Sequence, residues 1–324
     1  MEFCDTVFLK ESSSIENQIE NLKQIRNEVP DYYVDRVDYD IKMLEIGLKG
    51  EKNIAQELKY ADIGMYVLHD ITLQYEDLNV QFDYIVITKG YVYLIECKNL
   101  IGNIEIDNNG QFIREYEYKG DRYREAIYSP YTQVVNHKNI LKKIWINRHS
   151  KLSVSEQEKY FDNLWYKPLV VLANNKSILD KKNAPKEVRG STIRLDELVN
   201  YIKKDIKKYD DTYYESKEYM EQLAKTFLDD NTNNYHNIAD NYNEIIITKK
   251  LEWKLKHFRK EKAKKMNVPL KYIFTNDELK EIIKDKPNNI NKLKGILPEI
   301  KIKCHGKQII NIINKIENNK MDII

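Results

Sequence analysis

Two acidic side chains and one lysine meet at the end of a predicted β-hairpin, where they could hold a metal ion together. Two β-branched and aromatic segments within residues 80–98 flank Lys89-Gly90, which is typical of a hairpin with a two-residue loop. With that loop Asp83 faces Glu96, and strand alternation puts Lys98 on the same face. Directly opposed residues have Cβ atoms about 4.5–5.5 Å apart. Carboxylates this close repel each other, and a shared divalent cation would relieve the repulsion.

The same three side chains also have a purely structural interpretation. Asp83, Glu96 and Lys98 could form the solvated end of a half-buried hairpin. The predicted pairing also depends on the exact register of the two strands, because a slip of one residue would set Asp83 opposite Cys97, on the other face. The metal site therefore needs support from other parts of the chain.

A third carboxylate is expected on a helix that follows Gly50. Glu51, Ile54 and Leu58 are three and four residues apart, so they share one helix face. Because Ile54 and Leu58 are apolar, this face is expected to point into the core, where a carboxylate needs a partner or a metal. Alternatively, Glu51 lies in the first turn and interacts favourably with the helix dipole.

The charged residues are unevenly distributed along the 324-residue chain. There are 53 Lys and Arg against 51 Asp and Glu in total, but residues 249–320 contain 20 Lys and Arg against 8 Asp and Glu. A segment this basic predicts a contact with nucleic acid. Docking of the basic segment on the acidic remainder of the molecule is the alternative. Lys256, Lys260 and Lys264 would share one helix face, which could also be an ordinary solvated face.

Composition narrows the class of protein. No apolar segment approaches the roughly 20 residues that span a bilayer. Cys4, Cys97 and Cys304 are scattered, so neither a disulfide framework nor a cysteine-based zinc site is expected. The first residues show no cationic and apolar signal pattern, so a cytoplasmic protein without a membrane segment is expected.

Hydrophobic periodicity predicts an α/β fold followed by an all-helical segment. The predicted helices are at 12–28, after Pro30-Asp31, after Gly50, after Ser129-Pro130, at 195–206 and at 215–228. The predicted strands outside the hairpin are at 67–74, 102–107, 112–118 and 168–173. Residues 229–243 are rich in Asn and Asp and are expected to be a linker. In the helical segment beyond them, Thr275 and Glu278 have the spacing of a capping box. These elements predict an α/β sandwich around a central mixed sheet.

Four separated motifs are shared with a known family. They are Gly50-Glu51, then Gln81-Phe82-Asp83, then Glu96-Cys97-Lys98-Asn99 with Gly102 and Ile104, and finally Pro130, Gln133 and His137, with Phe112 as the aromatic residue after the glycine turn. This set resembles the nuclease-related domain (NERD), which is placed in the restriction-endonuclease-like superfamily. The family often has histidine after its aspartate, where this chain has Tyr84. The resemblance implies a restriction-endonuclease-like α/β sandwich around a mixed sheet.

The resemblance also implies a role for each matching residue. Asp83 and Glu96 would bind Mg²⁺ or Mn²⁺, with Glu51 as an additional ligand or a partner behind the ligands. Lys98 would orient or deprotonate the attacking water and stabilise charge on the phosphate. Gln133 would position the substrate or the lysine. Hard oxygen ligands favour Mg²⁺ over zinc, and the ion would polarise the scissile phosphate.

A second group of motifs occupies residues 251–318. It consists of His257-Phe258-Arg259, Val268-Pro269, Tyr272-Ile273-Phe274, the segment 275–279, Pro287, Leu293 with Gly295, and His305-Gly306. This group resembles the HRDC domain, the helical module of RecQ-type helicases and RNase D. The family often has a glycine–hydrophobic–glycine turn, and Gly295-Ile296-Leu297 lacks its second glycine, which restricts close approach of the backbone to a phosphate. Nucleic-acid contacts are therefore expected from Lys256, Arg259, Lys260 and Lys264.

The combined prediction is a Mg²⁺-dependent nuclease that hydrolyses phosphodiester bonds, with DNA ahead of RNA as substrate. Four regions are predicted: an N-terminal helical extension at 1–39, a nuclease-related domain at 40–210, a helix and linker at 211–248 and a small all-α HRDC-like domain at 249–320. Two alternatives stay open. The chain could be a catalytically silent nucleic-acid-binding protein, or an interaction protein that recruits a helicase or another DNA-processing protein.

Overall fold

The computed structural model describes residues 5–148, 153, 161, 166–208 and 216–318. These residues fall into two compact units, the first within Met1–Asn17 and Lys42–His236, the second within Gln18–Ile41 and Asn237–Ile324. Helices α1 (Ser14–Ile25) and α2 (Asp31–Lys59) each cross a boundary between the units. None of the described helices is long and apolar enough to cross a membrane.

The first unit contains two mixed sheets. The six-stranded sheet consists, in spatial order, of β1 (Thr6–Lys10), β2 (Met65–Tyr75), β3 (Leu78–Thr88), β4 (Tyr91–Lys98), β8 (Tyr166–Leu172) and β10 (Thr192–Arg194). The four-stranded sheet consists of β7 (Asp121–Ile127), β6 (Phe112–Tyr118), β5 (Asn103–Ile106) and β9 (Leu179–Asp180). Strands β2, β3 and β4 pair antiparallel, whereas β1 joins β2, and β8 joins β4 and β10, in parallel.

Helices cover both faces of the six-stranded sheet. The remaining helices of this unit are α3 (Pro130–Arg148), the short α4 (Lys186–Gly190), α5 (Leu198–Lys208), which follows a 3₁₀ turn at Leu195–Glu197, and α6 (Lys217–Asp229). One hydrophobic core joins α2 and α5 to the sheet through residues such as Ile54 and Ile202. The other core joins α3 and α6 to the opposite face through Val134 and Phe227. The predicted α/β sandwich is therefore confirmed, and the four-stranded sheet is added to it.

The predicted hairpin is formed with the expected register. Pairing runs from Thr88 opposite Tyr91 to Tyr84 opposite Ile95, so Lys89 and Gly90 form the two-residue loop. Gly90 has φ of 98°, a left-handed conformation that glycine adopts without steric cost. Because β4 also pairs with β8, the hairpin lies in the centre of the sheet rather than at an edge.

Four strands of the first unit were not predicted, namely β1, β7 and the very short β9 and β10. Strand β1 lies in the segment expected to be a helical extension, and Thr6 pairs with Met65, far along the chain. Such a distant pairing leaves no local periodic signal. Strand β7 is exposed on both faces, apart from partly buried Ile127, so it lacks the apolar alternation that identifies a half-buried strand.

The second unit is helical beyond residue 237, so its helices begin before residue 249, where the all-helical domain was predicted to start. Its helices are α7 (Asn243–Met266), α8 (Asn276–Asp285), α9 (Ile290–Leu293), α10 (Glu299–Lys301) and α11 (Lys307–Asn318). There are also 3₁₀ turns at Ile238–Tyr242 and Leu270–Tyr272 and a π-helical turn at Ile302–Gly306. The predicted capping box is present, since the Glu278 amide donates to Thr275 Oγ1 at 3.1 Å and the Thr275 amide donates back to Glu278 Oε2. Leu255, Phe274 and Ile309 are fully buried in the core of this unit.

Candidate active site

The end of strand β4 brings a lysine, a buried carboxylate and an amide into contact. The Lys98 ammonium donates to Glu96 Oε1 at 2.5 Å and to Gln133 Oε1 of α3 at 3.3 Å. Glu96 is only 3% exposed, so its charge has little access to water. Gln133 follows Ser129, whose hydroxyl accepts from the Thr132 amide at 3.2 Å and caps α3. Three of the predicted site residues are thus in direct contact.

Asp83 lies beside this group at an irregularity in the sheet. The ladder between β3 and β4 is regular as far as Tyr84 and Ile95, one step short of Asp83 and Glu96. Asp83 Oδ2 instead accepts a hydrogen bond from the Cys97 amide at 2.7 Å. On neighbouring β2, Asp70 has φ of 56° and interrupts the pairing opposite Asp83. Interruptions of this kind redirect side chains and are frequent near active sites.

The carboxylates of the site disfavour one another's ionisation. Burial, and then the charges of Glu96 and Glu51, raise the pKa of Asp83 well above its usual value. Burial also raises the pKa of Glu96, against the opposing effects of Lys98 and Gln133. For Lys98 burial acts in the opposite direction, but the attraction of Glu96 and Asp83 prevails and raises its pKa. Three carboxylates and one ammonium leave an excess of negative charge in a poorly hydrated region.

Glu51 is buried, as its helical spacing predicted, but α2 begins at Asp31 and Glu51 is therefore far from the first turn. The proposed interaction with the helix N-terminus is wrong for that reason. Glu51 Oε2 instead lies 2.8 Å from His69 Nε2, and it accepts a hydrogen bond from Ser13 Oγ at 3.2 Å. The His69 ring stacks on Tyr84, with centroids 4.4 Å apart.

Several polar residues around Glu51 were not predicted from the sequence. Besides Ser13 and His69, they include Lys10, whose ammonium donates to the backbone oxygens of His69 and Asp70 at 2.9 and 2.6 Å. Each of these contacts joins residues that are far apart in the chain. No short-range spacing rule could have found them, and only the three consecutive serines at 12–14 marked the segment, as a helix start.

The residues present fit a hard divalent cation that is only partly ligated by protein. Asp83, Glu96 and Glu51 supply oxygen donors, and a cation would oppose the raised pKa values of Asp83 and Glu96. Within the described ranges, no group of three or more His, Cys, Asp or Glu side chains is arranged as a complete metal site. Mg²⁺ is usually held by one or two carboxylates together with water and substrate phosphates, so a partial set of this kind suits it.

Three of the four residues predicted to contact nucleic acid are exposed on α7. Lys256, Lys260 and Lys264 point to solvent, and Lys256 forms an ion pair with Glu252 at 2.6 Å. Arg259 is different, because it is only 8% exposed and donates to the Phe274 carbonyl and to Asn276 Oδ1 at 3.2 and 3.0 Å. The prediction that Arg259 contacts nucleic acid is therefore corrected to a structural role within the helical unit.

Comparison with known proteins identified two families that match separate parts of the chain. The family described as nuclease-related domain (NERD) matches residues 46–173, and the HRDC domain family matches residues 249–313. No curated protein and no solved structure gave a significant match. The first match contains Glu51, Asp83, Glu96, Lys98 and Gln133, and the second contains the exposed lysines of α7. The chain therefore carries a nuclease-related domain followed by an HRDC domain.

Proposed function

We propose that the nuclease-related domain is a metal-dependent phosphodiester hydrolase that acts on nucleic acid, with DNA ahead of RNA, and that the HRDC domain contributes affinity for the substrate. The single observation that carries the proposal is the contact of the Lys98 ammonium with Glu96 and Gln133 at the end of β4. Acidic groups and a lysine at this position suit phosphoryl chemistry, where most of the catalysis is positioning and charge stabilisation.

Asp83 and Glu96 would hold Mg²⁺ or Mn²⁺, with Glu51 close behind them. When bound, the ion would polarise the scissile phosphate and lower the pKa of a water molecule. The protein's own groups would do the rest. Lys98 would offer its ammonium to the phosphate oxygens and orient the attacking water, and Gln133, which accepts from Lys98 Nζ at 3.3 Å, would restrict the direction of that ammonium. The hydrogen bond from the Cys97 amide to Asp83 Oδ2 would likewise restrict the orientation of the Asp83 carboxylate.

The proposal is tested by incubating the full chain with labelled single- and double-stranded DNA and RNA, with Mn²⁺ or with EDTA. We expect cleavage that requires the metal and falls by about 10²–10³-fold in Lys98→Ala, the usual effect of removing a group that stabilises charge in the transition state. Lys176→Ala is the matched control, because Lys176 is an exposed loop lysine of the same unit. Cleavage that persists in EDTA, or that is unchanged in Lys98→Ala, would contradict the proposal.

A catalytically silent protein that binds nucleic acid or a helicase is the second candidate. It is favoured by Glu51, whose Oε2 already has two hydrogen-bond partners, and by the incomplete set of metal ligands among the described residues. This candidate predicts binding of the labelled strands without cleavage under any metal condition. The same substrate panel therefore separates the two candidates.

Lys260→Ala and Arg259→Ala are expected to have different effects, although the residues are adjacent. Lys260→Ala should leave the stability unchanged and reduce the slope of log affinity against log salt by about 1, as expected for the loss of one phosphate contact. Arg259→Ala should lower the free energy of unfolding by about 1.5–3 kcal/mol, because the Phe274 carbonyl and Asn276 Oδ1 lose their charged donor. Salt-dependent binding titrations and urea unfolding measure the two effects. Equal stability of the two variants would contradict the buried position of Arg259.

A further inference from the structure

The segment before α1 contacts the candidate active site through side chains and backbone together. The Ser13 hydroxyl donates to Glu51 Oε2 at 3.2 Å, and the same hydroxyl accepts from the Ile15 amide at the start of α1. The Glu11 carbonyl accepts from His69 Nδ1 at 2.9 Å. Because a carbonyl can only accept, Nδ1 must carry a proton. Nε2 of the same ring lies 2.8 Å from Glu51 Oε2.

The same segment also fixes the interruption in strand β2. The Lys10 ammonium donates to the carbonyls of His69, Asp70 and Ser12 at 2.9, 2.6 and 3.1 Å. The Ser14 amide donates to Asp70 Oδ2. These hydrogen bonds give partners to the backbone carbonyls around Asp70, which has a positive φ. Such a strained conformation persists only when the surrounding contacts stabilise it. Residues 10–14, here called the N-terminal strap, thus hold both His69 and Asp70.

We propose that the N-terminal strap is a positioning element of the active site, which fixes the Glu51 carboxylate through Ser13 and through His69. The strap lies before residue 46, where the match to the nuclease-related domain begins. With Oε2 in contact with both the Ser13 hydroxyl and the His69 ring, Glu51 is restricted to one orientation. In the described residues Oε1 makes no hydrogen bond, so it remains for the cation or for one of its waters.

The positioning role of the strap rests on the metal-dependent activity proposed above. Its consequence is that changes in the strap should alter the affinity for the metal. Partners that orient a metal-binding group from behind commonly change metal affinity by 10–100-fold when they are removed. Ser13 supplies one of the two contacts of Glu51 Oε2, so the low end of this range applies. We expect Ser13→Ala to weaken Mn²⁺ binding by about tenfold. Ser13→Thr keeps the hydroxyl and should restore the affinity of the wild type.

The test is isothermal titration calorimetry of Mn²⁺ into the full chain, for the wild type, Ser13→Ala, Ser13→Thr and Ser12→Ala. Ser12 is the matched control, because it is the neighbouring serine and is exposed. Ser13 also caps α1, so each variant is unfolded thermally without and with Mn²⁺. Loss of the cap lowers the midpoint without metal, whereas loss of positioning reduces the increase that Mn²⁺ produces.

The outcomes separate this proposal from the proposed function. Weaker Mn²⁺ binding in Ser13→Ala, recovered in Ser13→Thr and absent in Ser12→Ala, supports a positioning strap. Ser13→Ala binding Mn²⁺ as tightly as Ser12→Ala would overturn it, and so would a Ser13→Thr variant as weak as Ser13→Ala. A wild-type chain that binds no Mn²⁺ and cleaves no substrate would overturn the proposed function itself.

Discussion

Asp83→Asn should abolish metal-dependent cleavage and yet leave the metal-free protein at least as stable as the wild type. The loss of activity follows from removing a charged ligand, since the Lewis-acid effect of a bound ion is worth several kcal/mol, or about 10²–10³-fold in rate. The stability effect has the opposite sign because Asp83 is buried among carboxylates. Residues of an active site are rarely optimal for stability, and at Asp83 the requirements of activity and of stability should oppose each other.

The sign of the stability effect follows from the pKa of Asp83. Burial, Glu96 and Glu51 raise that pKa well above its usual value, so the folded protein disfavours the ionised carboxylate. An acid with a raised pKa in the folded state costs stability once the pH exceeds its unfolded value, and neutral pH lies above that value. Asparagine carries no charge, and its side-chain oxygen can still accept from the Cys97 amide. The neutral side chain therefore removes a cost and keeps a hydrogen bond.

Urea unfolding at neutral pH without metal measures this effect, and unfolding with Mn²⁺ measures the loss of the metal-induced increase. Asp77→Asn is the matched control, because it makes the same chemical change at an exposed position between β2 and β3. Asp83→Ala provides the contrast, since it leaves the Cys97 amide without an acceptor and should be less stable than Asp83→Asn. A marked loss of stability in Asp83→Asn would contradict the electrostatic interpretation of the site.

The residues that could be predicted are those whose partners are set by local periodicity. The two-residue loop sets the register of the hairpin as far as Tyr84 and Ile95, one step short of Asp83 and Glu96, and the alternation of β4 relates Glu96 to Lys98. Gln133 came from the resemblance to the nuclease-related domain, and its contact with Lys98 follows from the packing of α3 against the sheet. The partners of Glu51 could not be predicted in this way, because Ser13 and His69 meet it only through the tertiary fold.

The buried position of Arg259 could have been predicted from the helical spacing of its neighbours. Arg259 lies four residues after Leu255 and four before Ala263, and all three are buried on one side of α7. This periodicity places Arg259 on the apolar face rather than with Lys260. Composition suggested a nucleic-acid contact because the segment is basic, but the position on the helix decides where a particular charge points. Helical position should therefore take precedence over charge when contact residues are predicted.

Gly50→Ala should destabilise the first unit, whereas Gly47→Ala on the same helix should be neutral or stabilising. A Cβ atom on Gly50 would lie 2.6 Å from Asn99 Cβ and 3.2 Å from Cys97 Sγ. The first distance is shorter than real Cβ contacts allow, so α2 or the end of β4 must move. A Cβ atom on Gly47 would meet only Ile15 Cδ1, at 4.0 Å, an ordinary van der Waals contact.

The two substitutions share their chemistry and their helix, so propensity cannot explain a difference between them. Alanine is favoured over glycine in a helix interior by about 1 kcal/mol, and Gly47→Ala should gain up to that amount. Gly50→Ala should lose about 1–3 kcal/mol, the usual cost of overpacking a tight interior. Urea unfolding of both variants at one pH measures the difference. Equal stability would mean that α2 and β4 do not approach each other this closely.

Gly50→Ala should also affect the chemistry, because Glu51 is the next residue and Asn99 follows Lys98. Asn99 Nδ2 donates to the Ile46 carbonyl at 2.6 Å and ties the end of β4 to α2. A displaced Asn99 would loosen this tie and separate Glu51 from Glu96 and Lys98. Mn²⁺ affinity should therefore fall in Gly50→Ala and remain unchanged in Gly47→Ala. If Gly50→Ala lost stability but kept its metal affinity, the glycine would serve packing alone, and the position of Glu51 would depend on Ser13 and His69 instead.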